Sequence, residues 1–102
     1  MDYISKVFHY NNVKTLFIIL LDYELNFFSI SKQLKFNNID NVIVDYGYIH
    51  GDSRFRFVQF NVISGTINLN DFSYINSNLN YYKKISVSML EALPINIKKK
   101  LM

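Results

Sequence analysis

A small α+β domain is the fold class this sequence predicts: an antiparallel β-meander over about residues 42–69, with an earlier strand near 21–31, packed against terminal helices. Three observations predict it. Residues 42–69 alternate β-branched and aromatic runs with turn chemistry. Both ends of the chain carry apolar residues at helical spacing. The chain has 102 residues, is 50% hydrophobic and 17% aromatic, and so holds one core and one domain, 1–102.

Taken in order, Ile4, Val7 and Phe8 share one face of a short helix over residues 2–10, which Asn11-Asn12 breaks. The next stretch fits two periods. Val13, Leu16, Phe17, Leu20 and Leu21 have helical spacing, whereas Leu21, Tyr23, Leu25 and Phe27 alternate with polar residues as in a half-buried strand. Residues 15–21 are read as apolar core and 21–31 as strand. Residues 37–41 form a loop.

Residues 42–49 make the first strand of the meander, His50-Gly51-Asp52-Ser53 its turn, and residues 54–63 the second strand. Ser64-Gly65 is a two-residue turn into a third strand over 66–69. Pairing Ile49 with Arg54 sets Tyr46 opposite Phe57; pairing Ile63 with Thr66 sets Val62 opposite Ile67 and Phe60 opposite Leu69. Phe57 and Val58 lie in opposite phases, which either a β-bulge between them or burial of both faces reconciles. Asn70 caps a helix from Asp71, striped by Phe72, Ile75, Leu79 and Tyr82. Ser88 and Glu91 have capping-box spacing for a helix near Met89, and Pro94 kinks it or opens another. Helices on one face of the sheet leave the other available to a partner, with Tyr and Phe on it.

Composition removes several classes of function. With no cysteine there is no disulfide, thiolate site or cysteine nucleophile. The longest apolar run, residues 16–21, is six long where a membrane helix needs about 20. Asp2 stands where a secretory signal carries basic charge, so a cytoplasmic protein is expected. Thirteen Asn, thirteen Ile and nine Lys, all with AT-rich codons, suit a mobile genetic element. No cofactor motif is present. His50 with Asp45 or Asp52 falls short of the four ligands of a closed metal site, and His-Gly-Asp-Ser with Arg54 and Arg56 reads as turn chemistry rather than a nuclease centre.

What remains is binding. The net charge of +3 resides in the tail: residues 15–53 sum to −3 and 83–102 to +4. Tyrosine is a residue of protein interfaces, and eight tyrosines beside an acidic centre suit docking on a protein. The expected function is therefore a non-enzymatic protein-binding module, a small inhibitor or immunity protein that neutralises a toxin, with Asp40, Asp45, Tyr46 and Tyr48 as contacts. Asp45→Lys or Tyr48→Ala is expected to weaken binding without unfolding the domain. The alternative is a nucleic-acid-binding regulator of helix-turn-helix or winged-helix type, with 29–34 as first helix and 39 onward as recognition helix. It would use Arg54, Arg56, Lys83, Lys84, Lys98, Lys99 and Lys100. An open sheet edge also admits a homodimer.

Overall fold

The structure, a computed structural model, describes residues 3–21, 27–47 and 55–101. Among the described residues five strands form one sheet in the order β1 (Tyr3–Tyr10), β2 (Val13–Leu20), β3 (Asn41–Asp45), β4 (Phe57–Ile63) and β5 (Thr66–Tyr74). All neighbours are antiparallel except β2 and β3, which are parallel. The helices bounded within the described residues are α1 (Phe27–Ser31), α2 (Leu79–Glu91) and α3 (Ile95–Leu101). The predicted α+β class is the observed one.

The predicted first helix is instead strand β1. Ile4 and Phe8 are four residues apart, a spacing that helix and strand periods share. Asn11 and Asn12 decide between them: both have positive φ, 51° and 64°, and they close a two-residue hairpin pairing Tyr10 with Val13. β2 starts earlier than the predicted strand at 21–31. Residues 15–20 are buried without alternation, as in a central strand covered on both faces. Of the predicted strand, residues 27–31 form α1 instead and residues 22–26 lie outside the described residues. A parallel β2–β3 pair needs a long crossover, and residues 21–40 supply it.

The meander is present with altered register. Asp45, not Tyr46, lies opposite Phe57, and Tyr46 N–H donates to the Arg56 carbonyl at 2.8 Å. The connection is therefore one residue out of step with a turn closed by Ile49 and Arg54; residues 48–54 lie outside the described residues. Ser64 and Gly65, with φ of 53° and 77°, form the predicted turn, and Val62 pairs with Ile67 as predicted. Beyond it β5 holds three extra residues, so that Phe72 rather than Leu69 faces Phe60 and Tyr74 faces Val58. The predicted helix from Asp71 is thus strand as far as Tyr74. The irregularity sits between Phe60 and Val62, not at Phe57-Val58, because Phe57 and Val58 are buried on opposite faces.

Both faces of the sheet carry covering segments, one of them only in part, where the sequence leaves a whole face open. Leu16, Ile18, Val42, Val44, Val58 and Phe60 meet Phe27, Ile30, Phe36 and Ile39 of the crossover. Phe17, Ile19, Ile43 and Phe57 meet Ile75 and, from α2, Tyr82 and Met89. Ser88 and Glu91 end α2 rather than start a helix, and Pro94 opens α3, its carbonyl accepting from the Ile97 and Lys98 amides.

Tyr82 is buried among Phe17, Phe57 and Tyr10, with ring centroids 6.2, 5.5 and 6.4 Å away. Burial first, then the neighbouring Tyr10 and Tyr81, raises its hydroxyl above the usual value of 10.0; burial first, then Tyr74, does the same for Tyr46. A raised pKa in the folded state stabilises the fold fully below the unfolded value, and that contribution disappears as pH rises through the folded one. Stability is therefore expected to fall as pH climbs past about 10, with Tyr82→Phe flattening the decline. Urea midpoints at stepped alkaline pH check this; a wild-type curve no steeper than that of the Tyr82→Phe variant contradicts it.

Candidate partner-binding site

The crossover covers only part of its face. Beyond α1, towards β5, that face opens into a groove of about 600 Å³. Its floor is Val58 and Phe60, both buried; its walls are Phe27 and Phe28 of α1, Tyr46 after β3, Phe55 before β4, and Leu69, Asn70, Phe72 and Tyr74 of β5. The three-residue irregularity in β5 builds it, because it brings Phe72 and Tyr74 beside Phe60 and Val58 on the same face. Phe28, Phe55, Phe72 and Tyr74 remain 52%, 45%, 46% and 48% exposed. The last three are held in place by one another: Phe55 and Tyr74 meet edge-on at 4.8 Å, and Phe72 and Tyr74 at 5.4 Å. Phe60 supports Phe72 at 5.9 Å and stacks on Phe27 at 5.0 Å. The Lys32 ammonium lies 4.9 Å over the Phe28 ring at the rim. A concave apolar site with half-exposed aromatic walls and a buried floor is suited to receive apolar side chains of a protein partner.

The four contacts expected from sequence are not brought together. Tyr46 lines the groove. Asp40 is exposed at the opposite end of β3, six residues or about 20 Å away, where its carboxylate accepts the Lys14 amide at 2.9 Å. Tyr48 lies outside the described residues. Asp45 is fully buried, because β3 is the central strand and α2 lies over the face that Ile43 and Asp45 share. Its Oδ1 accepts from the Gly47 amide and Arg56 Nε, both at 2.7 Å, and its Oδ2 from Arg56 Nη2 at 3.0 Å and Ser86 Oγ at 2.7 Å. Asp45 is thus a structural acceptor and not an exposed contact, which corrects that expectation.

The basic set is divided among several elements. Arg56 is engaged with Asp45 and lies 5.0 Å over the Phe57 ring. Arg54 and His50 lie outside the described residues. Lys83 and Lys84 are on α2, and Lys98, Lys99 and Lys100 on α3. No recognition helix exists at residue 39 onward, because 41–45 is the buried strand β3. Among the described residues no three His, Cys, Asp or Glu side chains cluster as for a metal, and no helix is long and apolar enough to cross a membrane.

Tyr74 is among the tyrosines too numerous for the core to bury, but Phe28, Phe55 and Phe72 escaped the sequence reading. The aromatic excess pointed to an interface, but Phe72 read as a helical stripe because its spacing to Ile75, Leu79 and Tyr82 fits that period.

Comparison with known proteins places the chain. No curated protein matches it, and no solved structure does. A family model described as the antitoxin to the bacterial toxin RNase LS, or RnlA, matches residues 15–102. The match runs from the third residue of β2 to the last residue of the chain and takes in every residue of the groove. The chain therefore belongs to this family of antitoxins, proteins that neutralise a toxin by binding it.

Proposed function

We propose that this antitoxin neutralises an RNase of the RNase LS or RnlA kind by seating apolar side chains of the toxin in the aromatic groove, without catalysis of its own. The observation that carries the reading is the ring of four half-exposed aromatic side chains above a buried floor, inside the family match. Such anchors supply most of the energy of protein interfaces, and alignment of their rings before binding lowers the entropic cost. Tyr46 is kept as a contact in this reading, and Asp40 and Asp45 are not part of the groove.

An apolar site gives binding that is nearly flat with salt, whereas phosphate binding through lysines weakens steeply. Affinity for the purified RNase is expected to change less than about threefold between 50 and 500 mM salt. Deletion of residues 98–102 is expected to leave it unaltered. Titration calorimetry at both salts tests this. Loss of binding at high salt, or on deletion of the tail lysines, would transfer the interface to the basic end of the molecule.

A further inference from the structure

We infer that the buried Asp45 carboxylate is a positioning group for the docking surface: it holds Tyr46 and Phe55, two walls of the groove, from the opposite face of the sheet. The inference rests on the proposed role of the groove.

The geometry is specific. Asp45 and Gly47 flank Tyr46, and the Asp45 carboxylate accepts the Gly47 amide, closing the chain around Tyr46 in a two-residue loop. The same carboxylate takes both Nε and Nη2 of Arg56, the residue after Phe55. Tyr46 N–H donates to the Arg56 carbonyl at 2.8 Å, so the two segments are also joined through their backbones. Ser86, in the middle of α2, anchors the carboxylate from below. One side chain thereby ties the end of β3, the approach to β4 and a helix on the far face. Its two oxygens receive four donors, a number that a carboxylate can accept and an amide cannot.

Gly47 shows how closely this group is built. A Cβ added there would lie 2.3 Å from Arg56 Nε and 2.8 Å from Asp45 Oδ1. Only glycine lets the backbone approach the ion pair. The residues so clamped both line the groove: Tyr46 is half-buried and packs against the core beneath it, and Phe55 is 45% exposed.

The test is a double-mutant cycle on toxin binding with Asp45→Asn, Tyr46→Ala and the combination, each at a temperature where circular dichroism shows the variant folded. If Asp45 acts through Tyr46, Asp45→Asn weakens binding about tenfold, Tyr46→Ala does likewise, and the double variant is within about twofold of the weaker single. Losses that multiply would overturn the inference, since a carboxylate that merely maintains the folded population acts independently of Tyr46. Wild-type binding by the Asp45→Asn protein would overturn it as well. Should Asp45→Asn not fold, Gly47→Ala takes its place in the cycle, because it keeps the carboxylate and displaces Arg56. Phe72→Ala is measured alongside. If it binds the toxin as wild type does, the groove itself is not the docking surface; if it weakens binding while Asp45 and Tyr46 prove independent, the groove stands and only the positioning role fails.

Discussion

Asp45→Lys is expected to unfold the protein. The carboxylate is 0% exposed and is the shared acceptor for Arg56, Ser86 and the Gly47 amide. Lysine would remove every acceptor and set a second cation against a guanidinium whose side chain is itself only 15% exposed. Breaking a buried pair from one side costs about 3–5 kcal/mol, because the remaining charge stays buried and unpaired. A domain of this length has roughly 5–15 kcal/mol of stability in all, and the added cation raises the cost further. The measurement is a urea titration followed by circular dichroism at neutral pH. The variant is expected to be unfolded, or to melt far below wild type, where the sequence alone suggested a folded protein with weaker binding. A variant as stable as wild type would contradict the description of Asp45 as a buried acceptor.

Phe72→Ala is expected to do the reverse, sparing the fold and abolishing tight binding. Phe72 is 46% exposed, sits on the edge strand β5 and rests on Phe60 and Tyr74. Truncation of such a side chain costs the fold about 1 kcal/mol. A central anchor of an interface contributes about 2 kcal/mol or more, so docking in the groove predicts a roughly 30-fold rise in the dissociation constant. Paired measurements of urea midpoint and toxin affinity read the two effects separately. Equal losses in both would make Phe72 a packing residue; loss of neither would remove the groove from consideration.

How far the sequence carried the fold depends on which signals were local. Ser64-Gly65 set a turn and register that the structure reproduces, because two residues with positive φ leave the strands one way to pair. Asn11-Asn12 had the same capacity, but the four-residue spacing of Ile4 and Phe8 suits either period, and the pair read as a helix end. The strand β2 carries no alternation to find, since both its faces are covered. The β5 irregularity was not legible at all: it depends on Phe60 and Val58 needing partners on the sheet, a tertiary demand that outweighs the helical spacing from Phe72 onward. The function class was easier to read than its location. Absent catalytic chemistry and surplus tyrosine pointed to a toxin-neutralising binder, and the family match agrees. The groove was missed because charge was taken as a sign of exposure. Asp45 is charged and buried, whereas Phe28, Phe55 and Phe72 are apolar and exposed.

The groove is tested most directly by amide hydrogen exchange of the full chain, free and bound to its RNase toxin, read on peptides spanning α1, the start of β4 and β5. Docking in the groove is expected to slow exchange in residues 27–31, 55–58 and 68–74, with α3 unchanged. Protection confined to β1, α2 and α3, with residues 68–74 exchanging as in the free protein, would contradict it and place the toxin on the opposite face of the sheet.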